Sequence, residues 1–208
     1  MEFSRSVVFS DESNDGTFVD TGVTATIGER LKAVEPHLAG EATFLANYAD
    51  GLSDVHLPAL VDFHHQHDAV ATLLSVRPTQ SFHCISSDAS GAVKRIEEIG
   101  DTETWMNAGF FVLQQEIFEH LHAGEDLVGD PLERLAAARR LYSYNYPGFF
   151  GCMDTFKEKQ VLEDMHARGR APWAVWLQEP AASHRNQAAA VTAATIPSNG
   201  RNRVHKPR

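Results

Sequence analysis

Positive charge is scarce in this chain. Its 208 residues carry 18 Lys and Arg against 28 Asp and Glu, a net charge of −10. The basic residues are also unevenly placed. Residues 178–208 hold Arg185, Arg201, Arg203, Lys206 and Arg208 against Glu179 alone, so that segment is +4 and residues 1–177 are −14. So acidic a body argues against non-specific nucleic-acid binding, and the basic end is too sparse to reverse that. Long apolar runs are missing as well. None approaches the roughly 20 residues of a membrane helix, so no membrane partner is expected. Residues 1–10 lack the basic start and apolar stretch of a signal peptide. There are only two cysteines, Cys84 and Cys152, too far apart for a metal or redox motif. A reduced, cytoplasmic protein is the expectation. Neither GxGxxG nor a P-loop occurs, and there is no internal repeat.

What is present is a globular composition, 43% hydrophobic and 22% charged, long enough for one domain with a core. That domain is expected over residues 1–177. Residues 178–208 have almost no large apolar side chains and read as a disordered basic tail. The chain is organised around residues 42–67, ATFLANYADGLSDVHLPALVDFHHQH. Residues 42–47 read as a buried strand, and Tyr48, Ala49, Asp50 and Gly51 must turn. Ser53 and Asp54 are expected to cap a helix with Leu57, Leu60 and Val61 on one face. Asp50 then lies just past the carboxyl end of a strand, where open α/β sheets bind ligands. A carboxylate there suits a hard cation such as Mg²⁺. An Asp-Gly turn without chemistry explains the same residues equally well.

The remaining elements alternate. Strands are expected around residues 3–9 and 16–20, joined by the hairpin-like DESNDG, then a short helix within 27–36 carrying Leu31 and Val34. Residues 69–76 form a second buried strand ended by Pro78. An irregular or edge segment follows at 80–90, then strands at 91–99 and 105–113. A helix is expected at 114–123 with Ile117, Phe118 and Leu121 on one face. Asp130-Pro131 opens another, with Leu132, Leu135 and Ala136 toward the core. Residues 141–146 read as a strand, and the apolar stretch 149–153 ends at Asp154. Thr155 and Glu158 form a capping box on a helix through Arg168, which Gly169 stops. The class is α/β, a Rossmann-like mixed sheet, mostly parallel and flanked by helices.

Asp50 and Asp154 occupy equivalent places, each after an apolar run and before a helix. If their strands are neighbours, the two carboxylates meet at one sheet edge and suit Mg²⁺ bound to a phosphate substrate. Two unrelated turn or cap residues would give the same spacing. His64, His65 and His67 do not share one helical face and read as a solvated helix end. His83 beside Cys84 has no further support as a site. Cys152 has no base nearby in sequence and reads as a structural thiol.

The order of the motifs resembles the sugar nucleotidyltransferases. FVDTG (18–22), GERLKAV (28–34), YADGLSD (48–54), MNAGFFVL (106–113), DPLERLA (130–136) and PGFFGCMDT (147–155) follow one another in the family's order. GRAPWAVW (169–176) is similar to the end of glucose-1-phosphate cytidylyltransferases. The resemblance covers residues 16–177. It implies transfer of a nucleotidyl group from CTP to a sugar 1-phosphate with release of pyrophosphate, with Mg²⁺ as cofactor and a homo- or hetero-oligomer as the assembly. It also implies metal aspartates at Asp50 and Asp154, substrate contacts at Glu98, Asn107 and Gly109, and a nucleotide contact at Gly28.

The departures from the family's pattern have a direction. The family's glycine-rich loop with its arginine, and the lysine that follows it, have no counterpart here. Its sugar-phosphate lysine falls on Ile99, the second glycine of its nucleotide turn on Glu29, and the acid before DPL on Val128. Phe150, Gly151 and Cys152 precede MDT, and the glycine pair after Asn107 is Ala108-Gly109. Losing one transition-state donor costs on the order of 3 kcal/mol of barrier. Impaired transfer is therefore expected. The alternative is a non-catalytic module binding a sugar phosphate, a nucleotide sugar or a partner subunit. Absent first strands would also leave an exposed sheet edge and apolar surface, for which a partner chain, a rearranged amino-terminal hairpin or instability must account.

Overall fold

The computed structural model describes residues 6–11, 14–79 and 82–177, and the expected tail at 178–208 lies outside the described residues. The first elements are β1 (Ser6–Asp11) and β2 (Asn14–Val19), an antiparallel hairpin as expected. The short helix is α1 (Ile27–Val34). Thr26 and Glu29 close a capping box at its start, and Leu31 is buried. Glu29 is the acid of that box.

The core is a four-stranded sheet in the order β3 (Thr43–Asn47), β8 (Met106–Gln114), β5 (Ala71–Val76), β9 (Leu141–Tyr146). Beside it lie β4 (Gly51–Ser53) and β10 (Phe150–Cys152), a two-stranded ribbon, and β6 (His83–Ser87) and β7 (Val93–Glu98), a separate hairpin. The sheet is mixed and flanked by helices, as the class predicts. Three of its four strands, β3, β5 and β9, run in one direction and β8 runs against them, so β5–β9 is a parallel pair while β3–β8 and β5–β8 are antiparallel. The crossover that joins the co-directional β3 and β5 on either side of β8 contains α2 (Leu57–His65), and the segment from β8 back to β9 contains α3 (Asp130–Ala137). Between β5 and β8 the chain makes the β6–β7 excursion and comes back in the opposite direction.

Side-chain alternation divides the two faces. Leu31 of α1, Phe111 and Leu113 of β8, Ile117, Phe118, Leu121, and Leu132 and Leu135 of α3 build one core cluster. On the other face Val55, Leu74, Val76 and Ala108 form a second, flanked by Phe110, Tyr144, Tyr146 and Phe150. Helix α2 (Leu57–His65) covers that face through buried Leu60 and His64, and Phe63 sets its ring edge-on to Tyr144 at 5.2 Å. Helix α4 (Phe156–Ala167) starts at the Thr155–Glu158 capping box and buries Leu162. Gly169 follows it at φ +65, in the left-handed region that ends helices.

Several expectations change. Residues 42–47 are an edge strand, half-buried, with Leu45 50% exposed, because only β8 lies beside them. Among the described residues the β1–β2 hairpin pairs with itself and does not cover that edge. Residues 115–119 form a 3-10 turn in place of a longer helix, although Ile117, Phe118 and Leu121 are buried as expected. Ala136 faces solvent. No helix among the described residues is long and apolar enough to cross a membrane.

Candidate active site

The site begins where β3 ends. The Tyr48 backbone N–H donates to the Gly109 carbonyl at 2.9 Å, and the chain turns through Ala49 and Asp50 into β4. Strand β10 lies antiparallel to β4, with Cys152 opposite Gly51. The ladder runs one step further: the Met153 N–H donates to the Asp50 carbonyl at 3.0 Å. Asp154 is the next residue. Two aspartates far apart in sequence therefore sit at the same end of one ribbon, both exposed.

Cys152, Asp154 and Glu158 bring one potential ligand atom each to within 4.8 Å of one another, the one such group of three among the described residues; the Asp50 carboxylate is not part of it. Glu158 also accepts the Thr155 N–H and hydroxyl, both at 2.9 Å. Burial pushes the half-buried Cys152 thiol up, and its hydrogen bond to Asp154 adds to that shift. A thiol so held stays protonated near neutrality, which agrees with a structural role and disfavours a nucleophile. The donor chemistry of the two exposed aspartates, oxygen only and open to water, fits Mg²⁺.

Asn107 and Gly109 are built into a β-bulge. The β5–β8 register jumps between Leu73 opposite Phe111 and Ser75 opposite Asn107, and Gly109 there adopts φ +75. The Asn107 side chain accepts the Gly109 N–H at 2.9 Å, occupying a donor that the bulge takes out of the ladder. A Cβ on Gly109 would sit 2.5 Å from Tyr48 Cδ2. The Tyr48 hydroxyl is raised, first by burial and then by Asp126 and Asp50, against the pull of a hydrogen bond with Asn107. Asp50, Asn107, Gly109 and Asp126 thus share one locality around Tyr48.

Gly28 packs in the first turn of α1, where a Cβ would approach the Glu125 carbonyl to 2.5 Å. Thr26 Oγ1 donates to that same carbonyl at 2.9 Å. Close backbone approach alone is enough to require glycine here. The Glu125 side chain is clasped by Arg134, at 3.0 and 2.6 Å, which holds its carboxyl down to about 2. Glu98 ends β7 opposite His83, exposed, on the β6–β7 arm. At the base of the arm, Arg77 donates to the Thr102 carbonyl at 2.6 Å and lies 4.2 Å over the Trp105 ring.

Ser53 and Asp54 do not cap α2, whose N-cap is His56 with no side-chain hydrogen bond. They tie the ribbon to the loop before β10. Ser53 Oγ donates to the Phe149 carbonyl at 2.8 Å, and Asp54 Oδ1 accepts the Tyr146 hydroxyl at 2.6 Å and the Phe149 N–H at 2.8 Å. Of the histidines expected at a solvated helix end, His65 is exposed and His67 half-buried, but His64 is not solvated. His64 is fully buried, its Nδ1 2.9 Å from Thr72 Oγ1, while its Nε2 has no partner. Burial, followed by His65 and His67, lowers it to about 4.

A cavity of about 860 Å³ opens beside β10 and the start of α4, lined by Met106, Pro147, Phe149, Phe150, Cys152, Lys157 and Glu158 among others. Across the loop, Trp173 of the 169–176 motif packs on Phe149 with ring centroids 5.5 Å apart. Tyr48, Asp54 and Asp126 are the site residues that sequence reasoning missed. The YADGLSD motif held the first two, but nothing near Asp126 signalled its approach to Tyr48.

No protein-family model matches the chain. It is 35% identical over 162 residues to the glucose-1-phosphate cytidylyltransferase of Salmonella typhi, covering 77% of this chain and 63% of that protein. It is 33% identical over 163 residues to the probable glucose-1-phosphate cytidylyltransferase of Bacillus subtilis, with the same shares. The chain therefore spans less than two thirds of the length of these relatives. In fold it is similar to a putative glucose-1-phosphate thymidylyltransferase from Bacillus anthracis, crystallised in complex with a sucrose, with a TM-score of 0.51 at 14% identity over 72% of this chain and 63% of that one. Over the span that matches, this chain is similar to glucose-1-phosphate cytidylyltransferases in sequence and to a sugar nucleotidyltransferase in fold.

Proposed function

We propose that this chain is a cytidylyltransferase-like protein that acts on CTP and a sugar 1-phosphate. The observation that carries the reading is the Met153–Asp50 hydrogen bond, which brings the two aspartate-bearing segments to one ribbon end. In the reaction an oxygen of the sugar phosphate attacks the α-phosphorus of CTP. The new P–O bond forms as the α–β phosphoanhydride breaks, and pyrophosphate leaves with the electron pair. Asp50 and Asp154 would hold Mg²⁺, which supplies charge stabilisation to the phosphates. Asn107, Gly109 and Glu98 would orient the sugar, Asn107 from the bulge and Glu98 from the β6–β7 arm. Gly28 would let the nucleotide approach the first turn of α1.

Transfer by the chain alone is expected to be impaired. Ile99 stands where the family's pattern has the lysine for the sugar phosphate, and no charge–charge contact can replace it at that position. The same substitution favours the second reading, a non-catalytic module that binds a sugar phosphate, a nucleotide sugar or a partner subunit. Incubation of the purified chain with CTP, glucose 1-phosphate and Mg²⁺, with pyrophosphate as readout, separates the two. Turnover that disappears in Asp50→Asn establishes the enzyme. Metal-dependent thermal stabilisation by CTP or glucose 1-phosphate without turnover supports the binding module, and neither response rejects both.

A further inference from the structure

The β6–β7 arm carries an apolar pair that no described residue covers. Ile85 and Ile96 oppose each other across the hairpin and are 64% and 60% exposed. The arm is a sheet of two strands, so among the described residues no strand lies along the outer edge of β7. A free edge of this kind is a template for another strand unless its charges forbid pairing.

The charges of β7 do more than permit it. The strand reads Lys94, Arg95, Ile96, Glu97, Glu98 after Val93, with two cations and two anions on either side of an isoleucine. We propose that β7 is the two-fold contact between two copies of this chain, paired antiparallel with Ile96 opposite its counterpart. Lys94 then lies opposite Glu98 of the second copy, and Arg95 opposite Glu97.

The register follows from symmetry. A two-fold axis normal to the sheet must pass through one residue of the strand, which then meets itself. Centred on Lys94, Arg95, Glu97 or Glu98, the pairing sets like charges face to face, which is destabilising. Centred on Ile96, it opposes every charge with its opposite. It also aligns Ile85 and Ile96 with their two counterparts in one apolar row across four strands. Within the single chain Arg95 already pairs with Glu97 at 2.5 Å, so the axis gathers two such pairs into one cluster. The register shift of the hairpin makes Lys94 the extra residue of a bulge, between Arg95 opposite Ser86 and Val93 opposite Ser87, and leaves Arg95–Glu98 regular, so Arg95–Glu97 is the better-defined pair and Lys94 reaches Glu98 of the second copy from the bulge. A strand complementary to itself is what an isologous contact requires, and this singles out a second copy as the occupant. The inference shares Glu98 with the proposed sugar contact, so its test reads assembly and not turnover.

Sedimentation velocity of the full chain over a concentration series tests it. One strand pair is smaller than a standard interface of about 1,200 Å² or more, so a monomer–dimer equilibrium that shifts with concentration is expected. K94E/R95E makes the strand wholly acidic and E97K/E98K makes it basic; each variant should sediment as monomer with an unchanged Tm. An equimolar mixture of the two should dimerise again, because every position then meets its opposite. A wild-type chain that stays monomeric, a dimer that persists in both variants, or a mixture that stays monomeric each overturns the proposal.

Discussion

Gly109 is the residue most tightly constrained by the site. It combines φ +75 with a Cβ position 2.5 Å from Tyr48 Cδ2 and 2.8 Å from Cγ, near the root of a ring that cannot swing aside. Gly109→Ala should cost about 2 kcal/mol or more in urea unfolding. It should also displace Tyr48 from Asn107, seen as a loss of Tyr48 ring shifts by NMR. His64 is constrained differently. Its folded value of about 4 lies below the ordinary 6.5, so between these pH values the unfolded chain binds a proton that the folded chain refuses. Stability from this residue is complete above pH 6.5 and falls as pH drops toward 4, by up to about 1.4 kcal/mol per pH unit. Urea midpoints at pH 7, 6 and 5 should show that decline, and His64→Gln should flatten it. Nothing in the local pattern marks this burial, since the face that holds His64 is defined by Thr72 across the helix–sheet gap.

At the scale of elements, the two helix starts near the aspartates are built in different ways. Helix α4 is capped by its own sequence, Thr155 through Glu158, and the pattern was legible because both partners lie within four residues. Thr155→Ala should cost about 1 kcal/mol. The start of α2 looked the same in sequence and is not. Asp54 there is a brace across the ribbon, holding Tyr146 and the Phe149 N–H. Asp54→Ala strands both donors and should cost about 2–3 kcal/mol, more than the true cap. Thermal or urea unfolding of the two variants side by side gives the ranking, and equal costs would mean that Asp54 does not brace the loop. Local periodicity showed where strands begin and end; it could not show that β4 and β10 pair, because their register is set by contacts between distant segments.

For the whole molecule, the alternation of strands and helices identified the class and the common direction of β3, β5 and β9, but not the reversal of β8, which follows from the chain folding back after the β6–β7 arm. The acidic body, −14 over residues 1–177, favours a cation at the ribbon end and disfavours a bare triphosphate. It makes metal binding the more direct property to measure. The central claim is that Asp50 and Asp154 serve one divalent ion. Titration of Mn²⁺, in place of Mg²⁺, into the wild-type chain and into Asp50→Asn, Asp154→Asn and the double variant, followed by electron paramagnetic resonance, addresses it directly. The account predicts that each single change weakens binding by about tenfold or more and that the double change adds little, as coupled ligands of one site behave. Binding that survives both single changes, or losses that simply add, would contradict it.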